Sequence, residues 1–148
     1  MSLDPIRRTA WTILSSIEKD GLLELELDQA LGRVDEPRDR RFLAELVRGT
    51  TQWRDRYDHI IEALSRRKGG PKRDVRLILR LGLHQLLACD RVPPYAAVDQ
   101  SAHLARRIAG AKSVPYVNGL LQNVSRRVNS DGVDGLRDLF PDRDKDPV

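Results

Sequence analysis

Apolar residues recur at helical spacing along almost the whole chain, and no stretch alternates with the two-residue period of a strand. Asp4 is placed to cap a first helix with Pro5 at its first position, and Ile6, Ala10, Ile13, Leu14 and Ile17 share one face. Gly21 is expected to end that helix. Leu27 and Leu31 mark a short second helix that stops at Gly32. Asp35 and Pro37 open a third, striped by Phe42, Leu43, Leu46 and Val47, which runs on through Trp53. Tyr57, Ile60, Ile61 and Leu64 continue as a fourth with little break.

The run Arg66-Arg67-Lys68-Gly69-Gly70-Pro71 is the clearest loop. A fifth helix over about 72–88 carries Val75, Ile78, Leu79, Leu83, Leu86 and Leu87, and Leu77 and Leu81 widen its apolar face, so it is expected at the centre of the core. Gly82 inside it costs roughly 1 kcal/mol against alanine and points to close packing by a neighbour. Pro93-Pro94 starts a sixth helix with Val98, Ala102, Ala105 and Ile108 inward, and Gly110 ends it. Ser113 is expected to cap a seventh, with Pro115 in its first turn. The stripe Val117, Leu120, Leu121, Val124 and Val128 passes straight through Asn118-Gly119, so that glycine too is expected to mark a close approach between helices. The prediction is an all-α fold of about seven helices in two packed sub-bundles that meet near 68–71. One domain covers 4–130, and an acidic tail, 131–148, is expected to fray.

The chain's 148 residues suffice for one core without staples. One cysteine, Cys89, makes no internal disulfide and fits a reducing compartment. No apolar run approaches the roughly 18 residues of a membrane span, and the start lacks an apolar signal core. The expectation is a cytoplasmic protein without membrane attachment.

Catalytic chemistry has little to work with. His59, His84 and His103 form no HExxH pattern and are read as structural, and a lone cysteine supplies no zinc cluster. Cys89 is read as a small packed side chain rather than a reactive thiol. Gly110-Ala111-Lys112-Ser113 is similar to the end of a phosphate-binding loop, but it lacks the glycine directly before the lysine and a preceding strand. Nor is there a glycine-rich strand-to-helix turn for a dinucleotide or S-adenosylmethionine. No catalytic residue, metal or cofactor is expected, and the reading is binding.

Charge says what would be bound. Residues 38–80 carry 13 basic and 6 acidic side chains, while 1–37 and 131–148 are each net acidic. Guanidinium forks match phosphate oxygens, and a basic face attracts nucleic acid without regard to sequence. The candidate RNA-binding residues in this segment are Arg48, Arg66, Arg67, Lys68, Lys72, Arg73, Arg76 and Arg80. Arg76 and Arg80, four apart, share a face, and the cations at 66–73 bracket an adaptable loop. Trp11, Trp53, Tyr57, Tyr95 and Tyr116 are candidates for stacking on unpaired bases, at least half of them expected in the core.

Four strings resemble motifs of the NusB-like family, in the family's order. They are Asp39-Arg40-Arg41-Phe42-Leu43-Ala44-Glu45-Leu46-Val47-Arg48-Gly49-Thr50; Ile78-Leu79-Arg80-Leu81-Gly82-Leu83-His84-Gln85-Leu86-Leu87; Val92-Pro93 leading into Ala97-Val98-Asp99-Gln100; and Tyr116-Val117-Asn118-Gly119-Leu120-Leu121. The resemblance implies an all-α RNA-binding fold over roughly residues 6–128 and one of two roles. One is that of the antitermination factor, which binds RNA of ribosomal RNA operons together with NusE. The other is that of the non-catalytic N-terminal domain of RsmB-type ribosomal RNA cytosine-5 methyltransferases. Arg38-Asp39-Arg40, Gln52-Trp53-Arg54 and Gln85 look more like the methyltransferase branch, whereas the chain's length is similar to that of the factor. The resemblance also adds Arg7 and Arg8, which stand where NusB's arginine-rich first helix meets RNA. The expected function is RNA binding in ribosomal RNA antitermination or biogenesis, with NusE or a catalytic methyltransferase domain as protein partner. A protein–protein interaction module is the rival from another class.

Overall fold

A computed structural model describes residues 2–66 and 69–140, and among them there are seven α-helices and no strand. In chain order these are α1 (Pro5–Glu18), α2 (Leu23–Leu31), α3 (Pro37–Gln52), α4 (Arg54–Leu64), α5 (Arg73–Ala88), α6 (Pro94–Ile108) and α7 (Val114–Asp131). Short 3-10 segments follow at Ala111–Ser113 and Gly132–Leu139. Helix α5 is the hub. It packs against α1, α3 and α4 on one side and against α6 and α7 on the other, so the two sub-bundles share it. Its residues from Leu77 to Gln85 are all buried, as expected of the helix with the broadest apolar face.

Local chemistry sets the ends. Asp4 caps α1 by accepting from the backbone N–H of Ile6 and Arg7, ahead of Pro5. Helix α1 ends at Glu18 with Lys19 as its C-cap, one residue short of the expected end after Lys19: Asp20 takes the left-handed conformation (φ 73°), and the Gly21 N–H returns to the Ser16 carbonyl. Ser113 precedes α7, but its hydroxyl donates back to the Ala105 and Gly110 carbonyls, so it fastens the turn from α6 instead of capping α7.

The two internal glycines part company. At Gly82 a Cβ would lie 2.7 Å from Ser101 Oγ and 2.8 Å from Leu121 Cδ1, which is the close approach its sequence position indicates. At Gly119 a Cβ would meet nothing within 4 Å, so the expected helix–helix contact is absent there. The tail also departs from expectation over its described part. Residues 132–139 form 3-10 turns that bury Leu136 and Leu139, and the next residue, Phe140, stacks on His59 at 4.4 Å between ring centroids. Two leucines and a phenylalanine give the segment an apolar face, and this outweighs its aspartates and glycines. Residues 141–148 of the predicted tail, with Arg67 and Lys68 of the predicted site, lie outside the described residues.

Candidate nucleic-acid interface

Of the arginines that make the middle of the sequence basic, Arg80 is buried and Arg73 and Arg76 are half-buried, while Arg38, Arg40, Arg41, Arg48, Arg54, Arg56 and Arg66 are exposed. Arg80 is 9% exposed; its Nε and Nη2 hold both oxygens of Asp58 at 2.7 and 2.8 Å, and Nη1 holds Glu18 at 2.8 Å. Burial works against its charge, but the hydrogen bonds it donates to Asp58 and Glu18 outweigh that and hold the guanidinium above its ordinary range. Arg76, one turn earlier, lies 3.5 Å from both Asp58 and Glu62 and donates to the Gly69 carbonyl at 2.8 Å. Arg73 reaches the Ser15 hydroxyl at 2.9 Å and Asp74 at 3.0 Å. Arg48 is exposed but holds Glu24 with a two-pronged fork, and that hydrogen bond lowers the Glu24 pKa. These four candidates tie α5 to α1 and α4, and α3 to α2.

The first-turn pair divides. Arg7 lies over the Phe42 ring at 5.1 Å, donates from Nε to Gln85 Oε1 at 2.6 Å, and pairs with Asp4 at 3.0 Å. It is an internal clamp between α1, α3 and α5, and Gln85 is the residue that receives it. Arg8 points the other way, into a groove of 680 Å³ between α1, α2 and the start of α3. Glu26, Asp35, Glu36 and Asp39 line that groove beside Arg8 and Arg33, a setting that repels a polyanion.

A second groove has the opposite character. It measures 1170 Å³ and runs between the ends of α4 and α6 and the starts of α5 and α7. Leu64, Val75, Ile108, Leu120 and the Tyr116 ring form its apolar floor, and Gly119 leaves that floor open. Arg66, Lys72 and Lys112 stand on its rim, and none of the three has a side-chain partner among the described residues. The one carboxylate on the lining, Asp74, is already paired with Arg73. Two helix N-termini border the groove, α5 after Lys72 and α7 after Ser113, and both present the positive end of a backbone dipole. Three cations over an apolar floor can hold phosphates at the rim and a base against Tyr116. The Tyr116 hydroxyl bonds Ser65 Oγ, which fixes the ring at the end of α4.

Of the predicted residues, the structure therefore brings Arg66 and Lys72 together at one surface. It ties Arg7, Arg73, Arg76 and Arg80 into contacts between helices, pairs the exposed Arg48 with Glu24 at the surface, and sets Arg8 apart. Lys112, in the Gly110-Ala111-Lys112-Ser113 string, joins Arg66 and Lys72 at the rim, where Gly110, with a φ of 94°, turns the chain toward α7. Among the aromatics, Tyr57 is buried, Trp11 and Tyr116 are half-buried, and Trp53 and Tyr95 are exposed. No helix among the described residues is long and apolar enough to cross a membrane.

Comparison with known proteins matches residues 4–126 to the model of the NusB family. A probable ribosomal RNA small subunit methyltransferase B of Synechocystis is 38% identical over 123 residues, which cover 81% of this chain and 28% of that protein. The ribosomal RNA small subunit methyltransferase B of Pseudomonas putida is 29% identical over 99% of this chain and 31% of its own length. The chain thus spans about three-tenths of the curated methyltransferases it matches. The transcription antitermination protein NusB of Limosilactobacillus reuteri is 26% identical over 84% of this chain and 93% of its own length. Among solved structures, T. maritima NusB superposes with a TM-score of 0.68 at 22% identity, covering 84% of this chain and 92% of that one, a likeness of fold.

Proposed function

The chain belongs to the NusB family, and from that premise we propose that it is a non-catalytic domain that binds ribosomal RNA through the basic groove between α5 and α7. The observation that carries the reading is the trio Arg66, Lys72 and Lys112, three cations with no side-chain partner among the described residues, around an apolar floor. Arg67 and Lys68, adjacent in sequence, extend the same basic stretch. In this arrangement phosphate contacts supply most of the affinity and the floor takes unpaired bases, so single-stranded or loop RNA is preferred over duplex. The higher identity of the methyltransferase relatives, together with Gln85 in its clamp on Arg7, favours a domain that holds ribosomal RNA for a methyltransferase.

A second reading is an antitermination factor acting with NusE, favoured by the match that covers 93% of the Limosilactobacillus protein. Both readings place RNA in the same groove and differ in the protein partner.

Ultraviolet cross-linking to small-subunit ribosomal RNA transcripts, followed by mass spectrometry, tests the proposal. Cross-linked peptides are expected from the Arg66–Val75 and Ala109–Asn123 regions. Cross-links confined to the start of α1, or a protein partner recovered after nuclease treatment with no RNA affinity at all, would overturn it.

A further inference from the structure

Away from the groove, three side chains with metal-ligating atoms converge where α3, α4 and α5 meet. Glu45 on α3, His84 on α5 and Cys89 at the end of α5 each bring a donor atom within 4.8 Å of the other two. RNA binding at the groove uses none of them. His84 is 1% exposed and its ring is fixed from both sides: Nε2 meets Glu45 Oε1 at 2.9 Å, and Nδ1 shares a hydrogen bond of 2.7 Å with the Tyr57 hydroxyl. Helix α3 makes room for the ring by carrying Gly49, where a Cβ would sit 2.2 Å from His84 Nε2.

We propose that Glu45, His84 and Cys89 bind one divalent cation of the zinc class, with Tyr57 as the residue that orients the imidazole. Imidazole, thiolate and carboxylate together form a borderline donor set suited to zinc, and three protein ligands leave a fourth position for water. Two tetrahedral ligands at ordinary zinc bond lengths stand roughly 3.3 Å apart, so the present Glu45–His84 contact needs to open by only about 0.4 Å. The Cys89 sulfur, at the end of α5, already lies within 4.8 Å of both donor atoms.

Burial, against the pull of Glu45, holds the His84 pKa below its ordinary value and favours the neutral ring. When the cation takes Nε2, the ring proton sits on Nδ1 and is donated to the Tyr57 oxygen, the second contact that zinc-bound histidines ordinarily make. The sulfur–metal bond forms with release of the thiol proton to solvent. Glu45, with a side chain 56% exposed, provides the route of entry.

The test is a cobalt(II) titration of metal-stripped full chain, read by absorption. One equivalent is expected to give a near-ultraviolet thiolate-to-cobalt band and the visible bands of a tetrahedral ion, both displaced by zinc. Cys89→Ser should abolish the near-ultraviolet band while its melting curve in the absence of metal stays within a few degrees of the parent. Tyr57→Phe should weaken zinc binding by about 10-fold, the usual effect of removing a partner of a ligating histidine. Absence of the charge-transfer band in the parent, or zinc affinity equal in parent and Cys89→Ser, overturns the proposal and leaves Tyr57–His84–Glu45 as a hydrogen-bond chain.

Discussion

Replacing Arg80 by methionine separates a structural arginine from an RNA-facing one. Methionine keeps most of the stem's packing and removes the fork, which leaves Glu18 and Asp58 without their shared cation. Breaking a buried ion pair by deleting one partner costs about 3–5 kcal/mol. Two features reduce that here. The Glu18 and Asp58 side chains are 33% and 24% exposed, so water solvates part of the orphaned charge, and Asp58 keeps Arg76 at 3.5 Å. The expected loss is about 2–3 kcal/mol, which for a domain of this size lowers the melting temperature by about 4–12 °C. Urea unfolding followed by circular dichroism reads it as a shift in midpoint with the slope unchanged. RNA affinity, measured at a temperature where the variant is folded, should stay within twofold of the parent. A variant as stable as the parent that binds RNA tenfold more weakly would refute the inward assignment of Arg80 and restore it to the RNA surface.

Three further substitutions test the packing and the groove. Gly82→Ala drives a Cβ against Ser101 and Leu121, and the overpacking of about 1–3 kcal/mol, set against about 1 kcal/mol of gained helix propensity, should leave a net loss visible in urea melts. At Gly119 a Cβ meets nothing within 4 Å, so Gly119→Leu should raise stability by about 0.5–1 kcal/mol, and by projecting into the groove should weaken RNA binding several-fold in fluorescence anisotropy. Leu136→Ala removes a buried anchor of the 3-10 segment and should cost about 2–4 kcal/mol in the same melts; a cost near zero would show that the segment is not held as described.

The helices were legible because each carries its own apolar stripe, and Asp4 with Pro5 or Pro93 with Pro94 marks a start within two residues. The arginines were harder. The four-residue spacing of Arg76 and Arg80 places them on one face, but whether that face meets water depends on Glu18 and Asp58, which lie 62 and 22 residues from Arg80. Glu24 and Arg48 pair across 24 residues, again beyond any i±4 pattern. Composition counts such charges as available when the fold has already neutralised them. Gly82 and Gly119 present the same signal in sequence, a glycine inside a helical stripe, yet one faces a neighbouring helix and the other an open groove. Glu45 and His84 are 39 residues apart, so their meeting with Cys89 emerges only once α3 and α5 are packed.

The salt dependence of RNA binding by the parent and by the variant Arg66→Gln/Lys72→Gln/Lys112→Gln weighs the groove most directly. Each phosphate neutralised on a single strand contributes about 0.7 to the slope of log affinity against log salt, so losing three contacts should make the slope shallower by about 2. Arg8→Gln, on the acidic groove, should leave the slope unchanged. Equal slopes for parent and triple variant, or a larger change from Arg8→Gln, would contradict the account.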